Sequence, residues 1–172
     1  MAAPKTVWKN GPLTLYHGTL KLHVESVLSG IKLAESKGKP DFGRGFYTST
    51  SIRQARKWSK IKQERYFQRK GKEEDTALVE FKVDREKLSE LSCLFFVRWS
   101  PSNEDFWSLI YRFRGERGVG HKMDGSCYDV VVGPVATMRW EEKEAYQYYD
   151  QVGFHTDIAI ALLDGSAKRV VN

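Results

Sequence analysis

The chain has 172 residues, a formal charge of +6 and a sequence pI near 9.3, a length that suits one domain burying roughly two thirds or more of its unfolded surface. No stretch reaches the roughly eighteen uninterrupted apolar residues of a membrane span, and the opening "MAAPKTVWKN" lacks the apolar core of a secretory signal. Cys93 and Cys127 stand in apolar runs without metal-ligand spacing, which argues against a zinc module or a disulfide framework and for a reducing compartment. The expectation is a single domain over residues 1–172, with 1–12 as a flexible N-terminal segment, in the cytoplasm of a producing or target cell.

In chain order, "LTLY" reads as a strand, and Leu20, Val24, Val27, Leu28 and Ile31 then recur at helical spacing toward a stop at Gly30. "GFYTS" reads as a second strand. Ser51 with Gln54 has the spacing of a capping box opening a long helix whose apolar stripe is Ile52, Ala55, Trp58 and Ile61. From Arg53 to Lys72 that segment carries Arg56, Lys57, Lys60, Lys62, Arg65, Arg69 and Lys70 against the lone acid Glu64. Such a run is either a solvated helix face or a surface that attracts phosphate.

"ALVEFKVD" alternates, with Val79, Phe81 and Val83 on one face and Glu80 and Lys82 on the other. "CLFFVRW" and "YDVVVGPV" are continuous runs that predict strands covered on both sides. Between them Pro101 opens a helix from about Ser102 to Arg112 bearing Phe106, Leu109, Ile110 and Phe113. "GERGVGHKMDG", from Gly115 to Gly125, reads as a mobile loop whose Arg117, His121 and Lys122 could reach an acceptor. Glu141 to Tyr149 is expected to be helical. "QVGFHT" then forms a short strand with Val152 and Phe154 on one face and Gln151, Gly153 and His155 on the other, and Thr156 caps a last helix, "DIAIALLDG". Mixed rather than alternating elements predict an α+β domain with two small packed sheets.

Two short segments carry the chemistry. In "LYHGTL" a histidine, His17, precedes Gly18, where backbone can approach a ligand without a Cβ, and Thr19 adds a hydroxyl. In "DFGRGFYTST" Gly43 and Gly45 flank Arg44 and permit unusual backbone angles ahead of Phe46 and Tyr47, whose rings alternate so that one can serve the core and the other stack on a flat ligand.

Taken together and in this order, "LYHGT", "DFGRGFYTSTSIRQARKW", "YDVVVGPVA" and "DQVGFHTDIAIALL" resemble the bacterial DUF3990 family of the ADP-ribosyltransferase superfamily. Their pattern is that of its diphtheria-toxin-like clade, with a His, a Tyr and a third residue that is Glu, Asp or Gln. The resemblance implies a split β-sandwich with flanking helices whose cleft holds NAD as co-substrate. It implies that His17 hydrogen-bonds an NAD ribose hydroxyl, that Gly18 pairs its backbone with the nicotinamide amide, and that Tyr47 stacks on the nicotinamide ring. Thr19 falls beside the ribose, and charge suggests Arg44 as a phosphate contact. By position the third catalytic residue is Gln151, an amide that can orient a ribose 2′-hydroxyl but brings no negative charge to a developing oxocarbenium-like ribose. Asp129 and Glu80 are the other candidates for the carboxylate. His155 is read as a supporting residue, and Gln54 and Trp58 as capping and packing residues.

The implied function is NAD-dependent mono-ADP-ribosyl transfer to a macromolecule with release of nicotinamide, in a toxin, effector or defence enzyme with an antitoxin or immunity partner. The basic helix tilts the acceptor toward RNA or DNA over protein. The competing reading is a catalytically inactive relative that binds nucleic acid, favoured by Gln151 standing where a glutamate would be the stronger catalyst. On this reasoning Gln151→Glu should preserve or raise NAD cleavage.

Overall fold

The computed structural model describes residues 11–35, 40–97, 104–115 and 128–171. The chain folds as an α+β unit with two sheets. One is antiparallel throughout, in the order β1 (Leu13–Leu20), β3 (Thr76–Val83), β7 (Ala167–Val171). The other runs β2 (Phe46–Thr48), β6 (Ala145–Phe154), β5 (Val130–Ala136), β4 (Cys93–Phe95), with only β4 and β5 parallel. Helices α1 (Val24–Ser29), α2 (Ile52–Lys70), α3 (Arg85–Ser89), α4 (Glu104–Gly115) and α5 (Asp157–Asp164) pack around them. No helix of the described residues is long and apolar enough to cross a membrane.

The apolar alternation builds two cores. Leu15, Val79, Phe81 and Val83 of the three-stranded sheet meet Val130, Val152 and Phe154 of the four-stranded sheet, and Ala159, Ile160 and Leu163 of α5 close this first core. The opposite face of the four-stranded sheet, through Val131 and Ala136, packs on Phe106, Trp107, Leu109, Ile110 and Phe113 of α4, with Phe42 and Phe96. The continuous β5 run is thus covered on both sides, as its sequence predicts. The α4 face matches the predicted apolar positions, with Trp107 added; Pro101 and Ser102 lie outside the described residues, as do the loop after Gly115 and Cys127.

Several predicted elements differ. Glu141 to Tyr149 is not helical: a single 3-10 turn at Trp140–Glu142 leads into the ten-residue β6, of which "QVGF" is only the end. Pairing with β5 decides this, because Ala145 lies opposite Ala136 and the Thr137 N–H donates to the Glu144 carbonyl at 2.9 Å, and a sheet partner outweighs local helical preference. Of the segment "CLFFVRW", Cys93–Phe95 form a short edge strand in which Phe95 is 63% exposed rather than covered, and Arg98 and Trp99 lie outside the described residues. β1 is longer than "LTLY" and carries His17, Gly18 and Thr19 inside it. β7 carries no apolar run and forms by pairing with β3.

Caps set the helix ends. Ser51 Oγ accepts from the Gln54 N–H at 3.3 Å and opens α2, and Thr156 Oγ1 accepts from the Ala159 N–H at 3.2 Å and opens α5. The reciprocal half of the expected capping box is missing. The Gln54 side chain instead clasps the Asp150 backbone, its Nε2 donating to the carbonyl and its Oε1 accepting from the N–H at 3.0 Å. That pair of hydrogen bonds ties α2 to the strand that presents Gln151.

Candidate functional site

Among the described residues one isolated backbone bridge links the two sheets. Tyr16 and Ser49 exchange backbone hydrogen bonds of 2.8 and 2.9 Å, and beyond this bridge β1 and β2 part. A ladder continued from it would set Gly18 opposite Tyr47, but β2 pairs instead with β6, Tyr47 lying opposite Gly153. What spans the opening is the His17 side chain, with Nδ1 2.6 Å from the Tyr47 carbonyl and the ring stacked on Phe46 at 4.3 Å. The structure therefore brings His17, Gly18 and Tyr47 to the two lips of one split, although about thirty residues separate them in sequence.

The chemistry of the lips follows from these bonds. A carbonyl only accepts, so Nδ1 carries the imidazole proton and Nε2 presents a lone pair. Burial, and then the nearby Lys62 ammonium, hold the His17 pKa well below the usual imidazole value, so the ring is neutral at pH 7. Lys62 itself reaches from α2, with Nζ 3.3 Å from His17 Nε2 and donating to the Gly18 carbonyl at 2.6 Å. Burial lowers its pKa to about 8. Because Tyr16 spends its backbone groups on Ser49, the pleat places those of Gly18, two residues on, along the same edge of β1, away from β3.

Gly18 is required for a reason that its sequence does not show. A Cβ there would lie 2.0 Å from the Ala55 carbonyl oxygen, so the close approach is of helix α2, packed on the outer face of β1. Gly43 does adopt a left-handed conformation, φ +82°, with Phe113 where a side chain would go. Gly45 does not; it is small because His155 sits against it, and a Cβ would be 2.6 Å from that ring's Nδ1.

Phe46 and Tyr47 alternate as predicted. Phe46 faces the first core, against Phe81. The Tyr47 ring turns to the other face of the four-stranded sheet, edge-on to His155 at 5.7 Å, and is half-buried rather than free. Its hydroxyl donates to the Gly43 carbonyl at 2.6 Å and accepts from the Phe42 N–H at 3.1 Å, which pins the glycine turn above it. Burial, with Asp41 nearby, raises the Tyr47 pKa well above its ordinary value, so it remains a phenol. Thr19 is buried in β1. Arg44 is exposed at the turn, its carbonyl 3.0 Å from His155 Nδ1.

Gln151 lies two residues from Gly153 along β6, on the face that Tyr47 occupies. It is 8% exposed, and its Nε2 donates to Asp41 Oδ2 at 2.7 Å and to the Pro134 carbonyl at 2.8 Å. Both partners are acceptors, which fixes the amide so that Oε1 is the group left unpaired among the described residues. Asp41, which sequence reading passed over, is 4% exposed and also accepts from the Ala136 N–H at 2.7 Å and from Arg114 Nε at 2.8 Å. Lys62 was likewise read only as one more outward charge. The spacing of Ala55, Ser59 and Lys62, four and then three residues apart, marks it as a member of the buried stripe.

The alternative carboxylates are committed elsewhere. Glu80 pairs with Tyr16 across β1 and β3 and so points to the outer face of the sheet, opposite His17, where it accepts from Arg169 Nε at 2.8 Å. Asp129 accepts from the Ser92 N–H at 2.9 Å and from the Thr156 hydroxyl, tying β4 and α5 to β5. Around the helix, Arg53, Arg56, Lys57, Lys60, Arg65, Arg69 and Lys70 stand on the solvent side or its margin, leaving a basic surface beside the split.

Residues 13–142 match the model of a family described as "Protein of unknown function (DUF3990)". The matched span holds both lips of the split, Asp41 and Lys62, and ends before β6. No curated protein matches the sequence.

Proposed function

The chain belongs to the DUF3990 family, and on that premise we propose that it is an NAD-dependent mono-ADP-ribosyltransferase, built as an ADP-ribosyltransferase-like split β-sandwich, that transfers ADP-ribose to a macromolecular acceptor. The observation that carries the reading is the split between β1 and β2, with His17 and the Gly18 edge on one lip and Tyr47 on the other. The residues fit the co-substrate. The Gly18 edge offers backbone groups to a carboxamide, neutral His17 offers a lone pair to a ribose hydroxyl, and Oε1 of Gln151, unpaired among the described residues, offers a second acceptor.

NAD supplies the activated glycosidic bond; the chain binds, orients and shields it. Tyr47, anchored by its hydroxyl, gives a ring face that cannot swing away, and rigid placement of this kind lowers the barrier through orientation. Gln151 and His17 fix the ribose from two sides. Lys62 occupies both the Gly18 carbonyl and His17 Nε2 and must yield them to a carboxamide and a ribose hydroxyl. The exposed basic face of α2 supports RNA or DNA as acceptor, because each neutralised phosphate releases counterions.

One observation favours the second reading, a nucleic-acid-binding module without turnover: the lysine already seated on the Gly18 carbonyl. The deciding experiment is incubation of the purified chain with NAD labelled on its adenylate side, alone and with total RNA, DNA or cell lysate, beside Tyr47→Ala. Label entering one macromolecular fraction with wild type only identifies both the reaction and the acceptor class. Polynucleotide binding without nicotinamide release, from folded protein, assigns the module instead.

A further inference from the structure

We propose that Asp41 is a positioning residue that dictates an amide at position 151 and aims it. The inference rests on the transferase reading for its consequence in turnover, but its physical core is independent of that reading. Asp41 reaches its place because Pro40 and Gly43 form a tight turn, Gly43 N–H donating to the Pro40 carbonyl at 3.2 Å. Its carboxylate then enters the sheet face beneath α4. Oδ1 accepts from Arg114, and Oδ2 accepts from the Ala136 N–H and from Gln151 Nε2. Arg114 is itself consumed, donating also to the carbonyls of Ala136 and Thr137 at 3.0 and 2.7 Å.

This arrangement reverses the sequence-based expectation for Gln151→Glu. A glutamate would set its carboxylate against both the Asp41 carboxylate and the Pro134 carbonyl, at sites where the amide now donates. The other groups facing the pair are Arg114 from α4, already shared, and Tyr47 from β2, a neutral phenol flanked by His155. Two carboxylates around one arginine in a buried site cannot both ionise without cost, so one would take up a proton. The amide therefore does what an ionised carboxylate here could not: it donates to Asp41 and keeps Oε1 as an acceptor unpaired among the described residues. A ligand group that matches it is a hydroxyl.

The test uses the full chain as wild type, Asp41→Asn, Gln151→Glu and Asp41→Asn/Gln151→Glu, melted from about pH 5 to about pH 8, the range in which a paired buried carboxyl titrates. The Gln151→Glu carboxyl pair has a folded-state pKa above its unfolded value. Its stability is thus fullest at the acid end and falls as pH rises, and its melting point should drop away from wild type with increasing pH. In the double variant only one carboxylate remains beside Arg114, and the amide introduced at position 41 can donate to it only by giving up the Ala136 N–H, so the pH-dependent widening should shrink while a constant deficit stays. NAD cleavage in the same proteins should be at least about tenfold slower in Gln151→Glu, with several-fold recovery in the double variant, as for restoring one charge-assisted hydrogen bond.

A Gln151→Glu protein that melts with wild type across the whole range overturns the proposal. If Gln151→Glu does not fold at neutral pH, a folded double variant supports the coupling and an unfolded one overturns it. Wild type that cleaves no NAD sinks the transferase reading alone, because the melting cycle still decides what Asp41 does to residue 151.

Discussion

The two faces of the four-stranded sheet are built on different terms. Toward the three-stranded sheet, Val130, Val152 and Phe154 bury only hydrocarbon against Leu15, Phe81 and Leu163. Toward α4, a comparably buried apolar layer of Phe42, Phe106, Ile110 and Phe113 has Asp41, Gln151, Arg114 and Tyr47 set into one side of it. The first face stabilises by area and shape alone. The second holds buried polar groups that cost free energy unless each finds its partner, while the first meets the split through Phe46, on which the His17 ring stacks. Both sides of the sheet carry a buried apolar layer, and only the α4 side adds a cluster of charged and amide groups to it.

The contrast can be broken from either side. Phe154→Ala should lower unfolding free energy by about 3–5 kcal/mol through lost burial and a cavity, with little dependence on pH, as measured by urea denaturation from acid to neutral buffer. Asp41→Ala should cost about 3–5 kcal/mol as well, since it leaves the Arg114 charge buried without its partner. Unlike the core variant, it should be partly rescued by Asp41→Asn, which keeps the acceptor for the Ala136 N–H. Equal losses for Asp41→Ala and the isosteric Asp41→Asn would show that the carboxylate charge beside Arg114, rather than shape, governs that face.

Smaller effects sharpen the picture at the split. Gly18→Ala should destabilise by about 1–3 kcal/mol, because its methyl group meets the Ala55 carbonyl and α2 must shift; an unchanged melting point would mean that the helix slides freely over β1. Thr156→Ala should cost about 1 kcal/mol as the loss of a helix cap, detectable as a small fall in urea midpoint. For Lys62 the sign is set by its lowered pKa of about 8. A base whose folded value lies below its unfolded value favours the folded state more as pH rises. Wild type should therefore gain stability over Lys62→Met between about pH 8 and about pH 10, and parallel melting curves for the two proteins would remove Lys62 from the buried site.

Much of the split could be read from residues. Glycines in "DFGRGF", two adjacent aromatics with opposite faces, and a histidine beside a glycine led to His17, Gly18 and Tyr47 before any tertiary contact was known. At Gly18 the tertiary structure adds a reason that the sequence does not show, a neighbouring helix that needs the space. Asp41 and Lys62 were passed over because an acid beside a glycine turn and a lysine within a basic helix look like surface residues. Their burial depends on which elements fold over them.

Local order was written in the residues alone. Periodicity and caps specified β3, β5, α2, α4 and α5, because the alternation of apolar side chains and the orphan donors of a helix end act over a few residues. Tertiary contacts decided that Glu141 to Tyr149 leads into a strand, that Glu80 faces away from His17, and that the Gln151 amide donates through its Nε2. Each of those outcomes depends on a partner distant in sequence: β5 for the first, the pairing of β1 with β3 for the second, and the Asp41 carboxylate, 110 residues away, for the third.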